Sequence, residues 1–196
     1  MEYRESDIAP FPAQIEDVCS ALKFIPSIAD NFHIDMERFF LMGNSSGGHI
    51  AMMTALFDAN GLCEKLPELS GIILESASTD LLICSKNPLP PWMQVRPSAV
   101  LLGVDKIEGN EELARNASCD KYVMENVELP PALMLHSEFD PVVSAENSRT
   151  LYEKLKTTGH EAEYYELEGL DAHGGAVFYC EEVLGIVKAF CENNRQ

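Results

Sequence analysis

Apolar residues recur at two periods along this chain, and together they predict alternating helices and strands. Between Pro12 and Phe32 they return every three or four residues, as on the buried stripe of a helix. Pro26 is expected to kink or divide that helix, because an interior proline cannot donate a backbone hydrogen bond. Short apolar runs predict strands at residues 39–42, 70–76, 131–136 and 161–167.

Further helices are expected between these strands. One follows the first strand to about Phe57, an amphipathic helix covers residues 144–157, and a final helix covers residues 176–190. Strands that alternate with helices favour a parallel sheet with helices on both faces. The sequence therefore predicts an α/β fold with about four parallel strands, in which functional groups collect at the carboxyl ends of the strands.

Residues 77–129 form the least regular part of the chain. Several prolines lie close to Trp92 and Met93, and only residues 110–116 have a helical pattern. We interpret this segment as an insertion over the active-site edge of the sheet, either an ordinary surface excursion or a lid that shapes a pocket. A length of 196 residues is enough for one sizeable core, so residues 1–196 are expected to form a single domain.

A serine flanked by glycines lies between the first strand and the following helix. Gly43-Asn44-Ser45-Ser46-Gly47 has the G-x-S-x-G pattern of a nucleophile elbow, in which a sharp turn lifts the serine hydroxyl to the strand tip. The glycines are expected to remove side chains that would collide where strand and helix meet. The pattern alone is weak evidence, but the flanking strand and helix make it specific.

Two other reactive side chains also follow predicted strands. Asp140 comes after the third strand, and His173 lies in a glycine-rich loop after the fourth. The chain order of serine, acid and histidine is that of the α/β-hydrolase triad, in which histidine takes the serine proton and the acid orients the imidazole. Glu138 and Asp171 are alternative acids, and Asp140 could instead open the turn before Pro141.

The other potential ligands do not form a pattern. His33, His49, His136 and His160 are expected to be structural or solvated. The six cysteines are scattered, without metal-ligand spacing, and are expected to be free thiols in a reducing cytoplasm; the alternative is a secreted protein that pairs this even number in disulfides. We therefore expect neither a metal nor another cofactor.

Charge and hydropathy limit the partners. The formal net charge is −18, which disfavours nucleic acid and anionic membrane surfaces. No apolar run is long enough for a membrane span, and the N-terminus lacks a signal-peptide pattern. The sequence predicts a cytoplasmic protein with a small-molecule substrate.

Several segments in the right order resemble the α/β-hydrolase esterases, in particular their feruloyl-esterase-like and hormone-sensitive-lipase-like branch. These segments are residues 3–6, 9–18, 43–51, 101–103, 110–115, 131–143 and 148–155. The resemblance implies carboxylester hydrolysis of small acyl esters through Ser45, Asp140 and His173. It also implies an oxyanion donor at the backbone N–H of Ser46. We expect the substrate pocket to include Asn44, Trp92 and Val142.

One departure from that family concerns the start of the chain. Such esterases have four strands before the helix that begins here near Pro12, and a His-Gly-Gly loop that completes the oxyanion hole. Without them, residues 39–42 are expected to form an open edge that a homodimer or higher oligomer buries, or that residues 1–10 cover.

Two alternatives to the esterase remain. Peptidases of the prolyl-oligopeptidase type share the fold and the order of the triad, but they usually have an aromatic residue at the position of Ser46. A catalytically impaired half-hydrolase that acts as a binding or assembly module is the other alternative. The acyl and alcohol preferences do not follow from the sequence.

Overall fold

The computed structural model describes residues 1–194 and contains an alternating series of strands and helices. The helices are α1 (Ala13–Phe32), α2 (Ser46–Ala59), α3 (Leu81–Lys86), α4 (Pro97–Leu101), α5 (Glu111–Asn116), α6 (Glu146–Thr157) and α7 (Glu181–Asn193). The strands are β1 (Phe40–Asn44), β2 (Gly71–Glu75), β3 (Ala132–Ser137) and β4 (Ala162–Leu167). Short 3₁₀ turns lie at Met36–Arg38, Cys119–Tyr122 and Gly175–Tyr179.

The strands form one parallel sheet in the order β1-β2-β3-β4. All four carboxyl ends therefore point to the same edge, and β1 and β4 are the outer strands. The predicted parallel sheet of about four strands is confirmed. All four predicted strands are present, with boundaries within two residues of those expected.

Helices cover both faces of the sheet. Ile72 and Leu74 of β2 belong to the larger apolar cluster, which contains side chains of α1, α2 and α6. Ile73, between them in sequence, belongs to a second cluster with Phe178 and the α7 residues Val183 and Phe190. Because successive side chains of a strand point to opposite faces, this division is the reason for the continuous apolar run in β2.

The structure narrows one helix prediction, because Pro26 can only kink its helix, and it contradicts another. Pro26 does not divide α1, which is one helix from Ala13 to Phe32, with buried residues such as Leu22 and Ala29 on both sides of the proline. The last helix is not continuous from residue 176. Cys180 has an extended backbone (φ −73°, ψ 159°), so a 3₁₀ turn precedes it and α7 begins only at Glu181.

The segment between β2 and β3 has a small core of its own. Leu81 of α3, Ala99 of α4 and Ala114 of α5 are buried there, together with Ile107 and Ala117 from the connecting segments. This packing holds an otherwise irregular segment beside the carboxyl end of the sheet. Within residues 1–194, no helix is long and apolar enough to cross a membrane.

Candidate active site

Ser45 occupies a sharp turn between β1 and α2. Its backbone has φ 53° and ψ −118°, a conformation that is uncommon for a residue other than glycine. Its N–H donates to the carbonyl of Glu75 at 2.8 Å, which joins the turn to the end of β2. The turn therefore presents the hydroxyl at the carboxyl edge of the sheet.

The glycines of this turn differ from expectation. A Cβ on Gly43 would lie 2.2 Å from the carbonyl carbon of Gly47, so Gly43 is required for the close approach of strand and helix. A Cβ on Gly47 would meet nothing within 4 Å, whereas one on Gly48 would lie 2.6 Å from the Cβ of Ala77. The steric role predicted for Gly47 therefore belongs to Gly48.

The three predicted reactive side chains come together in a chain of hydrogen bonds. His173 Nε2 lies 2.8 Å from Ser45 Oγ, and His173 Nδ1 lies 2.8 Å from Asp140 Oδ2. The histidine is 18% exposed, and the carboxylate is fully buried. With Nδ1–H donating to the carboxylate, Nε2 is free to accept the serine proton.

Asp140 is held as an anion by its surroundings. Burial alone raises the pKa of its carboxyl, but the nearby His136 ring and the hydrogen bonds from His173 and the N–H groups of Val143 and Val142 outweigh burial and lower it well below its ordinary value. Oδ1 accepts from Val142 N at 2.8 Å and from Val143 N at 2.9 Å. The buried carboxylate can therefore stabilise a positive charge on His173.

The alternative acids have other positions. Glu138 accepts a hydrogen bond from the N–H of Gly169 at 2.8 Å, and Asp171 is exposed. Neither replaces Asp140 as the partner of His173. The geometry thus selects one of the three acids that the sequence left open.

One histidine that was expected to be merely structural lies against this site. His136 is fully buried at the end of β3, and its Nε2 is 3.5 Å from Asp140 Oδ2. Its position four residues before Asp140 was the available signal, but an apolar strand around it favoured a core role. His49 is buried against the carbonyl of Ala117, His33 is exposed, and His160 is half-buried with its Nε2 3.0 Å from the carbonyl of Met124.

A cleft of about 610 Å³ opens in front of Ser45 and His173. Ser46, the first residue of α2, lines it, so its N–H belongs to the helix end where backbone donors lack intrahelical partners. Much of the wall comes from the segment between β2 and β3, through the apolar residues Leu81, Pro88, Leu89, Pro90, Met93, Val95, Pro97, Val100 and Leu101.

The three predicted pocket residues have different positions. Val142 lines the cleft, but Asn44 and Trp92 do not. Trp92 is 68% exposed, whereas its neighbour Met93 contributes to the wall. Asn44 lies beside Gly174, where a Cβ on the glycine would be 3.0 Å from its amide. Asn44 and Trp92 were predicted to line the substrate pocket, but in the structure they do not.

The N-terminal segment also borders the cleft, which the sequence did not indicate. Residues 3–7 line it, and Arg4 pairs with Asp17 and Glu16 of α1. The buried amide of Gln14 donates to the carbonyls of Arg4 and Ala9 at 3.0 and 2.8 Å. These contacts fasten the segment to α1 beside the cleft.

Potential metal ligands do not cluster in the described part of the chain. No group of three or more His, Cys, Asp or Glu side chains within residues 1–194 could hold a metal ion. All six cysteines are free thiols. The groups that meet at the cleft are those of acid–base and nucleophilic chemistry.

Comparison with known proteins identifies the family. The BD-FAE family model matches residues 1–155. The chain belongs to the BD-FAE family. The predicted resemblance to α/β-hydrolase esterases is thereby confirmed.

Two individual relatives are similar to most of this chain. Endo-1,4-beta-xylanase B of Butyrivibrio fibrisolvens is 31% identical over 137 residues, which are 68% of this chain and 20% of the xylanase. Esterase LipC of Mycobacterium tuberculosis is 25% identical over 185 residues, 89% of this chain and 44% of LipC. The chain therefore spans less than half the length of these two relatives.

The fold has a close structural counterpart. A truncated form of a carbohydrate esterase from gut microbiota superposes with a TM-score of 0.84 at 21% identity. The match covers 99% of this chain and 72% of the other protein. At that identity the likeness concerns the fold alone.

Proposed function

We propose that this BD-FAE protein is a carboxylic ester hydrolase that acts through an acyl-enzyme on Ser45. The observation that carries the proposal is the uninterrupted chain of hydrogen bonds from Ser45 through His173 to a buried, ionised Asp140. Acyl transfer by a serine nucleophile needs these residue types with these contacts, and their order along the chain is that of the α/β-hydrolase triad. Membership in the BD-FAE family supports the same reaction class.

The reaction follows from the proton positions. His173 Nε2 accepts the proton of Ser45 as the serine oxygen bonds to the ester carbon, and Asp140 stabilises the imidazolium. The carbonyl oxygen becomes an oxyanion near the Ser46 N–H. When the carbon–oxygen bond to the alcohol breaks, His173 returns the proton to the departing alcohol, and water then releases the acid in the same two steps.

The cleft favours small substrates. Its volume of about 610 Å³ and its apolar wall can accommodate a compact acyl group. A carbohydrate esterase and a xylanase are among the similar proteins, which supports acetyl or feruloyl esters of plant carbohydrate as substrates.

Covalent labelling tests the nucleophile directly. A fluorophosphonate probe should add to Ser45 in the folded protein, located by mass spectrometry of the peptides, and Ser45→Ala should abolish the adduct. Ser20→Ala is the matched control, since Ser20 is an exposed serine on α1. An unlabelled folded protein, or equal labelling of Ser45→Ala, would contradict the proposal and favour a binding or assembly module.

Substrate panels test the class of ester. The protein should hydrolyse p-nitrophenyl acetate and acetylated or feruloylated xylan fragments faster than p-nitrophenyl palmitate. Activity on aryl-amide peptide substrates should be absent. Preference for the peptide substrates would instead identify a serine peptidase, and preference for the palmitate would show that the cleft accepts long chains.

A further inference from the structure

His136 lies beneath the carboxylate of the proposed triad and is completely buried at the end of β3. Its two ring nitrogens have different partners. Nε2 lies 2.9 Å from the carbonyl oxygen of Val143, and Nδ1 lies 2.7 Å from the hydroxyl of Ser148 on α6. The ring therefore bridges the end of β3, the turn after it and the following helix.

These contacts define how the ring is protonated. The carbonyl of Val143 can only accept a hydrogen bond, so Nε2 must carry a hydrogen. Nδ1 of the neutral ring then accepts the hydrogen of Ser148. In this arrangement both ring nitrogens of the buried side chain have a hydrogen-bond partner.

The bond to Val143 bears directly on Asp140. Val143 donates its N–H to Asp140 Oδ1 at 2.9 Å, while its carbonyl accepts from His136. The same residue is thus held at both of its backbone polar groups. His136 Nε2 is also 3.5 Å from Oδ2, the oxygen that faces His173.

We propose that His136 is a positioning residue for Asp140. It fixes the turn from Asp140 to Val143, and it places a partial positive charge beside the oxygen that receives the His173 hydrogen. Since two backbone N–H groups hold Oδ1 and the His136 ring braces the turn that supplies them, the carboxylate keeps one orientation. This inference rests on the proposed esterase function of the same site.

Two substitutions of His136 separate its hydrogen bond from its bulk. His136→Phe keeps a planar ring but removes the donor to Val143, and His136→Gln places an amide N–H near the position of Nε2. In His136→Phe, kcat for p-nitrophenyl acetate should fall about ten- to a hundred-fold, the range typical of groups that orient the ligands of a metal site, with KM unchanged. His136→Gln should restore most of kcat. Ser148→Ala should give a smaller loss, because the ring keeps its bond to Val143.

Leu22→Ala provides the stability control. Leu22 is a buried core residue of α1, so this variant should lower Tm without changing kcat at a temperature where it is folded. If His136→Phe lowers Tm as Leu22→Ala does and leaves kcat unchanged, His136 is only a core residue and the proposal is overturned. If His136→Phe does not fold, Ser148→Ala decides: a kcat equal to that of the wild type would overturn the proposal.

An NMR measurement does not depend on turnover. The Nδ1–H of His173, bonded to a carboxylate, should give a far-downfield proton signal that the wild type and His136→Gln retain. His136→Phe should shift or broaden this signal, and an identical signal in all three would refute positioning. Because the signal is read in the resting protein, a wild type that hydrolyses no ester would contradict the proposed function while leaving this test intact.

Discussion

Gly43→Ala is the substitution for which the structure predicts the largest local effect on the elbow. The added Cβ would lie 2.2 Å from both the carbonyl carbon and the oxygen of Gly47, and 2.6 Å from the nitrogen of Gly48. All three atoms belong to the backbone of the first turn of α2. No change of side-chain rotamer can relieve such contacts, so β1 and α2 must move apart.

The size of the effect follows from the required displacement. Carbon atoms in contact are normally about 3.5 to 4 Å apart, so the backbones would have to separate by more than about 1 Å. Overpacking that side-chain movements can relieve lowers the free energy of unfolding by about 1 to 3 kcal/mol. A clash between backbones cannot be relieved in this way, so we expect a loss of at least about 3 kcal/mol. For a protein of this length, a loss of about 3 kcal/mol corresponds to a decrease in Tm of about 6 to 12 °C.

Gly47→Ala is the matched comparison. Its Cβ would occupy open space, and Gly47 lies within the first turn of α2 with an ordinary helical conformation. Alanine is favoured over glycine in a helix by about 0.5 to 1 kcal/mol, so Tm should rise slightly. Both variants add one methyl group to the same motif, but only one of them meets the backbone.

Thermal unfolding and covalent labelling test this pair together. Gly43→Ala should lose both stability and labelling of Ser45 by a fluorophosphonate, because the turn that presents the hydroxyl is displaced. Gly47→Ala should retain both. A Gly43→Ala protein as stable as the wild type, or an equal loss of stability in Gly47→Ala, would refute the steric argument.

Two further predictions concern charge and assembly. The pKa of Asp140 is lower in the folded protein than its ordinary value of about 4, so its carboxylate contributes fully to the free energy of unfolding above that pH. This contribution is lost as pH falls from the ordinary pKa towards the lower pKa of the folded protein. The Tm difference between wild type and Asp140→Asn should thus shrink between pH 4 and pH 2, and a constant difference would contradict this. We also propose that β1, which pairs only with β2 among the described strands and leaves Met42 48% exposed, is buried in a two-fold homodimer. Light scattering at micromolar concentration should show a dimer that Met42→Lys converts to a monomer, and a monomeric wild type would reject this assembly.

The sheet and the elbow could be predicted because their signals are local. Each strand is a short apolar run, and buried parallel strands need such runs since both of their faces are covered. The serine lies between a strand and a helix with Gly43 before it, so five consecutive residues are enough to predict the turn. Asp140 and His173 each follow a strand, and parallel strands bring their carboxyl ends to one edge.

The walls of the cleft could not be predicted in the same way. The segment from residue 77 to residue 129 has no sustained period, so nothing local separates Met93, which lines the cleft, from Trp92, which is exposed. The inward position of residues 3–7 depends on Arg4 reaching Asp17, a contact between residues 13 positions apart. Such contacts are set by packing rather than by periodicity.

His136 shows why the support of a reactive group is harder to recognise than the group itself. Its own neighbours in sequence are those of a core strand, and a buried histidine there is compatible with packing alone. The partners that give it another role are the carbonyl of Val143 and the hydroxyl of Ser148, which lie 7 and 12 residues away. Asp140 can be recognised as a candidate acid from its residue type alone. The role of His136 becomes apparent only from the path of the chain through the turn and into α6. Residues of this second kind are therefore the ones for which the three-dimensional structure adds most to the sequence.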